Sequence, residues 1–450
     1  MSTLFISGGM AVDPQAGRIA PADILVRDGV IAAVADPGSL IPPQDAERIC
    51  ARGCMVSPGF IDPHGHIDGH ARTGELSLLQ GVTTSVGGNC GFSPVDIGQF
   101  FAQQQGFPIH QAEQVGLCAL REAAGVMDPF VPADEKQLGV MIDLARKALR
   151  DGAIGVSLGP AYAPGTSDEE MLALCREAKA CGRPVSIDTR MNSMTDLHSL
   201  QEAIDLAAAT GCRMIVSHFT YQYGVGVEDE ALAMVDAARA QGIDVWFDSG
   251  MYKDWCSSIG AALFDESVMR ENSIELHHLR MISGCHAGEQ PDRALYEHLR
   301  VAHPHDAVAV FTGSQEAVFT IARHPRAMIS SDTGAYQPGE GHPQIAGSFP
   351  RFLRQMVREG RGVSWAEAIR RITLLPAQAF GLERKGRLQP GCDADLVIFD
   401  PETICDRADF PGDGRPDAAP EGIAAVIVSG RVAAQNGVVI SGRCGGVVRA

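Results

Sequence analysis

Residues 55–70 read MVSPGFIDPHGHIDGH, an apolar run that ends in His64 and His66. A strand presents residues i and i+2 on one side, so the two imidazoles face the same way where the run stops. Runs of strand length recur through the middle of the chain, at residues 55–62, 81–88, 153–159, 184–188, 213–219, 243–248 and 326–332. Helical patterns separate many of them, at 169–182, 197–211 and 228–242, and each of these closes on a glycine, a common helix stop. Strand–helix alternation over ~330 residues is the pattern of a parallel α/β fold, above all of a (β/α)8 TIM-like barrel. A doubly wound sheet would carry a phosphate loop after its first strand, and neither GxGxxG nor GxxxxGK[ST] is present. The barrel is the expected fold, and barrel active sites lie at the C-terminal strand ends, where His64 and His66 stand.

Toward both ends of the chain the texture changes. LFISGGMAVDP (4–14) and ADILVRDGVIAAVAD (22–36) read as short strands and turns, with Asp28-Gly29 a strong hairpin signal. GCDADLVIFD (391–400) and GIAAVIVSGRVAAQNGVVISG (422–442) use the same vocabulary, and residues 409–419 look like a surface loop. The two ends are expected to pair into one small β-sandwich domain, residues 1–54 with 386–450, around a barrel at 55–385.

Composition narrows the function classes. The chain has 450 residues, 45% of them hydrophobic, with 37 Lys+Arg against 55 Asp+Glu and a formal charge of −18. Such acidity argues against sequence-independent nucleic-acid binding. No stretch approaches the ~18 apolar residues of a membrane span, and the start lacks the features of a secretory signal. A cytoplasmic location is expected, with a small-molecule partner and homo-oligomers left open. The twelve cysteines are scattered without any CxxC and are expected to be reduced thiols.

One cysteine has a chemical context. QGVTTSVGGNCGFSP delivers Cys90 from the end of a β run, and a thiolate is a strong zinc ligand that can bridge two ions. RMIVSHFTY ends a run at His218, and RAMISSDTG ends one at Asp332. Each alone reads equally well as a core thiol, a cap or a hydrogen-bonded structural residue. Jointly, strand-end His64, His66, Cys90, His218 and Asp332 would converge on one open metal site, with Asp188 and Asp248 as further oxygen donors. His70 reads as a loop residue.

At this point the sequence resembles the amidohydrolase superfamily, and within it the N-acyl-D-amino-acid deacylase (D-aminoacylase) group. The resemblance runs almost end to end, through PGFIDPHGHID, GVTTSVGGNCG, DGAIGVSLGPAYAPG, IVSHF, ISSDTG, GHPQIAGSFPRF and GRLQPGCDADLVIFDP. GNCG and GAIGVSLGPAYAPG are the segments specific to the group. The resemblance implies a barrel bearing one or two Zn2+ ions. It assigns His64, His66 and Asp332 to one metal position and Cys90 with His218 to the other, with Cys90 a candidate bridge. Asp188, in IDTR, stands where the group usually reads HxR, so a carboxylate takes the place of a histidine ligand.

Other departures fall on the substrate side. GHPQ places Gln344 where the group usually has an Arg implicated in gripping the substrate carboxylate, and Thr220 stands in place of a Lys. Gly250-Met251-Tyr252 keeps only the last aromatic of a Tyr-Pro-Tyr signature, and Leu117 replaces an expected His. Arg190, Tyr252, Lys253 and Arg351 remain as candidate substrate contacts beside Gln344.

The expected chemistry is metal-assisted hydrolysis of a non-peptide C–N bond, most simply deacylation of an N-acyl-D-amino acid or similar N-acyl amine. Asp332 would take the proton from water and return it to the leaving amine. Cys90 as a nucleophile is the weaker reading, because a metal-bound thiolate is occupied. A hydantoinase- or dihydroorotase-like cyclic amidohydrolase is the competing enzyme. A catalytically impaired barrel that only binds a ligand is the competitor of another class.

Overall fold

A glycine breaks the first apolar run in two. In a computed structural model, which describes residues 3–104, 106–191, 193 and 195–449, Met55–Pro58 pairs with Thr3–Asp13 and Leu396–Phe399. Phe60–Asp62 (β1) instead opens a parallel sheet. A Cβ on the intervening Gly59 would lie 2.1 Å from Thr83 Oγ1, so only glycine passes this crossing.

The parallel sheet continues through Val82–Gly87 (β2), His110–Gly116 (β3), Gly155–Leu158 (β4), Val185–Ile187 (β5), Met214–Val216 (β6), Val245–Ser249 (β7) and Ala327–Ile329 (β8), neighbours in chain order. Its ends meet just beyond the strands. Gly65 bridges Thr333, the His66 amide donates to the Thr333 carbonyl at 2.7 Å, and the Asp332 amide to the His64 carbonyl at 2.8 Å. The expected (β/α)8 barrel is therefore the fold, nearly closed, and the closure falls on residues singled out as metal donors.

Alternation within the strands divides the packing. Val156, Leu158, Val185, Ile187, Met214 and Val216 share an apolar core with Met171, Leu174 and Ala203 of the surrounding helices. Ser157 and Ser186, between them, turn to the barrel axis and are hydrogen-bonded there. The helices Asp168–Ala180, His198–Thr210 and Glu228–Ala240 lie where the sequence patterns place them.

The chain ends build a nine-stranded sheet, mostly antiparallel, that includes Thr3–Asp13, Arg18–Arg27 and Val30–Ala35 from one end and Leu396–Phe399, Ile423–Val428 and Arg431–Gln435 from the other. Asp28 and Gly29 turn the hairpin with φ of 48° and 79°, both left-handed, as a two-residue type I′ turn requires. Leu396 and Ile398 pack into the sheet's own core, whereas Val397 and Phe399 pack against the barrel, so LVIF is apolar without alternation because both faces are buried. A third sheet, Trp255–Ser258, Leu279–Met281 and Ala307–Val310, is inserted between β7 and β8 and stands over the barrel mouth. All twelve cysteines are unbridged. Among the described residues no helix is long and apolar enough to cross a membrane.

Candidate metal centre and active site

Every strand-end donor arrives at one place. His64 and His66 follow β1, Cys90 follows β2, Asp188 follows β5, His218 follows β6 and Asp332 follows β8. His64 is fully buried and His66 partly open to a cavity of about 670 Å³. Two sets of donors, His64–His66–Cys90 and Cys90–Asp188–His218, each lie within 4.8 Å of one another and share the Cys90 sulfur.

The spacings test whether a metal fits. Cys90 Sγ is 3.3 Å from His64 Nε2 and 3.6 Å from His218 Nε2. Asp332 Oδ1 is 3.5 Å from His64 Nε2 and 3.4 Å from His66 Nε2, and Asp188 Oδ2 is 3.6 Å from His218 Nε2. Zinc bonds of 2.0–2.3 Å in tetrahedral array put neighbouring donors roughly 3.3–3.7 Å apart. The nitrogen–oxygen contacts are long for hydrogen bonds, and all five spacings suit the edges of a coordination shell. The donor chemistry fits too: nitrogen, sulfur and carboxylate oxygen suit zinc.

Electrostatics agree. Burial pushes the Cys90 thiol well up, and Asp188, Asp332 and Asp248 add to it. Burial lowers the His218 imidazole, but the charge and hydrogen bond of Asp188, then Asp332 and Asp248, outweigh it and raise it to about 9. Burial would raise the Asp332 carboxyl, yet His66, His64 and His218 bring it down to about 2.

The supports around the donors are specific. Asp248, at the end of β7, accepts from Ser330 Oγ at 2.7 Å and the His218 amide at 2.9 Å, and its other oxygen lies 3.4 Å from His64 Nδ1. Asp62 accepts from the His64 and Ser331 amides and from Ser331 Oγ, while burial raises its carboxyl to about 7. Gln222 donates to Asp188 at 2.6 Å. Inside the barrel Ser186 donates to Gln114, Gln114 to Asn89, and Asn89 to the Val86 carbonyl, which fixes the loop carrying Cys90. Ser157 accepts from the Gly91 amide and donates to the Gly88 carbonyl. Cys90, His218 and Asp332 have φ of 54°, 32° and 49°. The left-handed region is unusual for non-glycine residues and costs of order 1–3 kcal/mol, a burden the packing and hydrogen bonds around the donors must outweigh.

The candidate substrate contacts are placed elsewhere. The Arg190 guanidinium pairs with Glu202 and donates to the Pro164 and Thr166 carbonyls. Arg351 pairs with Asp406 and covers the ring of Tyr252 at 4.3 Å. Lys253 is exposed, and neither these four residues nor Gln344 line the main cavity. Gln344 is buried beneath it, donating to the Asp332 carbonyl at 2.5 Å and accepting from Tyr221 at 2.7 Å. His70 is exposed at the start of a helix, as a loop residue would be. The sequence reading took Asp248 for an oxygen ligand and did not pick out Gln222, Tyr162, Tyr221 or Tyr336. The recurrence of aromatic residues in HFTYQY (218–223) is the available signal for Tyr221.

Comparison with known proteins agrees with this geometry. The family model described as "Amidohydrolase family" matches residues 55–444. N-acyl-D-glutamate deacylase of Alcaligenes xylosoxydans xylosoxydans is 31% identical, over 95% of this chain and 92% of that protein. D-aminoacylase of the same organism is 28% identical, over 95% and 93%. Among solved structures, N-acyl-D-glutamate deacylase from Bordetella bronchiseptica, complexed with zinc and a phosphonate mimic of the tetrahedral intermediate, superposes with a TM-score of 0.86 at 30% identity, covering 99% of each chain. L-hydantoinase of Paenarthrobacter aurescens is more distant, 25% identical over 94% and 93%.

Proposed function

Because this chain belongs to the amidohydrolase family, we propose that it is a zinc-dependent hydrolase of non-peptide C–N bonds that deacylates an N-acyl-D-amino acid or a similar N-acyl amine. One observation carries the reading: His64, His66, Cys90, Asp188, His218 and Asp332 meet at coordination-shell spacing beneath the cavity. The deacylase relatives and the zinc of the Bordetella enzyme support it, and the hydantoinase relative lies further away.

His64, His66 and Asp332 would hold one ion, and Asp188 with His218 a second, with Cys90 between them. When bound, zinc polarises the acyl carbonyl and lowers the pKa of water toward ~7. The residues of the chain do the rest. Asp332, ionised down to about pH 2, accepts a proton from the attacking water and delivers it to the leaving nitrogen. The C–O bond forms, the C–N bond breaks, and the products are a carboxylic acid and an amine. His64 is held by Asp248, so its Nδ1 carries the proton and Nε2 offers its lone pair to the site.

The barrel at 55–385, the terminal domain of 1–54 with 386–450, a cytoplasmic location and self-association belong to the same proposal. The pairing of Met55–Pro58 with Thr3–Asp13 and Leu396–Phe399 supports the joining of the two chain ends.

The test is metal analysis with activity on a panel of N-acyl-D-amino acids, N-acyl amines, hydantoins and dihydropyrimidines. Zinc should co-purify, and His64→Ala and Asp332→Ala should abolish deacylation while the protein stays folded. Hydrolysis by metal-free protein would sink the mechanism, and a preference for the cyclic amides would hand the function to a hydantoinase-like enzyme.

A further inference from the structure

The cavity above the donors is large, aromatic and without lysine or arginine. Tyr162, Tyr221, Trp255 and Tyr336 line it, and among the described residues no lysine or arginine does. The residues outside that description, 1–2, 105, 192, 194 and 450, include neither. The nearby guanidiniums are committed: Arg351 to Asp406, Arg280 to Asp413, and Arg190 to Glu202 and two carbonyls. The anions, in contrast, face inward. Asp188 and Asp332 line the cavity around the Cys90 sulfur, and Glu340, which accepts from the Gly284 amide, lines it as well. A thiolate and three carboxylates offset even two divalent ions. A substrate carboxylate placed here would give up its hydration, at several kcal/mol, with no ammonium or guanidinium to replace it.

A second chamber points the same way. A space of about 400 Å³ adjoins the cavity, with Met191, Ala262 and Leu263 in the walls of both. Phe130, Pro160 and Val268 add apolar wall, while Ser267, Glu271 and Arg190, whose guanidinium is held by Glu202 and two carbonyls, form its polar side. Phe130 is 54% exposed at its edge. Together the two spaces exceed what a small acyl-amino acid fills, since pockets for drug-sized ligands span ~300–1,000 Å³.

From these two observations we propose that the substrate is an uncharged N-acyl amine with an extended apolar arm, rather than an N-acyl-amino acid bearing a free carboxylate. The proposal rests on the deacylase reading and narrows it. The reaction is unchanged: water adds hydroxyl to the acyl carbon and a proton to the departing amine, with no redox step.

Matched substrates test it on the zinc-loaded enzyme, with released acid as the readout. N-acetyl-D-leucinamide should exceed N-acetyl-D-leucine in kcat/KM by about tenfold or more, chiefly through KM, as expected when an unpaired charge must be desolvated. N-octanoyl-D-leucinamide or N-acetyl-octylamine should exceed N-acetyl-methylamine by a similar factor. Equal or better turnover of the carboxylate partner overturns the proposal and leaves the deacylase reading standing. No gain from either long arm removes the role of the second chamber. Hydrolysis of cyclic amides alone overturns both readings.

Discussion

Replacing Asp248 by Asn tests how the donor set is held. The carboxylate is buried and makes three contacts, to Ser330 Oγ, to the His218 amide and to His64 Nδ1. An Asn oriented to keep its oxygen on Ser330 and His218 puts its NH2 against His64 Nδ1. That nitrogen must then accept, so the ring proton moves to Nε2, the atom that faces Cys90 and Asp332. Turning the amide over instead sets donor against donor at the His218 amide and forces the Ser330 hydroxyl to reverse and accept. The loss is one charge-assisted hydrogen bond plus the correct tautomer, about 1.5–3 kcal/mol. At 1.4 kcal/mol per decade this is a weakening of zinc affinity by roughly 10–100-fold, the range usual for partners of metal-bound histidine. The assay is competition with a chromophoric chelator, alongside the melting temperature of the metal-free protein. At saturating zinc much of the activity should return. Wild-type zinc affinity in Asp248→Asn would refute the assignment of His64 Nε2 as a ligand.

Three further outcomes are expected. Asp395, buried between Lys385 at 2.6 Å and His110 at 3.2 Å, joins the terminal sheet to β3, and Asp395→Asn should cost about 3–5 kcal/mol in chemical denaturation. Burial opposes ionisation of Asp395, but Lys385 and His110 outweigh it and its pKa is lowered; its contribution is therefore complete above the unfolded value near ~3.9 and lost as pH falls through the lower folded value, so the wild-type advantage over the Asn variant should shrink only below about pH 4. Gly159→Ala puts a Cβ 2.1 Å from the Cys90 carbonyl oxygen; calorimetry should show a loss of about 1–3 kcal/mol with weaker zinc binding, and an unchanged site would mean the Cys90 loop is looser than described. Zinc at 100 times its Kd should stabilise the fold by about 2.7 kcal/mol, read as a rise in melting temperature that a chelator reverses.

The barrel is legible because seven of its strands are apolar runs, and the candidate donors because most of those runs lead into a His, Cys or Asp. His110–Gly116 is not. Its residues HQAEQVG are almost all buried, but Gln114 turns to the barrel axis, where it joins the network under Cys90, and Gln111 and Glu113 alternate onto the opposite face, so neither face reads as apolar. Burial pushes the Glu113 carboxyl well up, with Asp68 adding to it. A strand that serves a hydrogen-bond network does not look like a strand in a hydropathy pattern. The sheet inserted between β7 and β8 was missed for a related reason: WCSS and LRM are too short to stand out, and their partners are set by contacts across the insertion. Arg190 and Arg351 looked like anion-binding residues because sequence spacing does not reveal Glu202 or Asp406, which neutralise them.

The seam at Gly59 has a consequence for how the protein is made. Met55–Pro58 lies between a strand near the start of the chain and Leu396–Phe399, which is synthesised some 340 residues later. At ~5–20 residues per second the ribosome needs roughly 17–70 s to supply that partner. Throughout that interval the N-terminal hairpins expose the edge that Leu396–Phe399 will cover, and every candidate metal donor, from His64 to Asp332, is synthesised before it ends. The last sheet to close is thus the one that pins the segment leading across Gly59 into β1, His64 and His66, so a nascent chain stalled before residue 396 would carry the candidate donors without the anchor next to two of them.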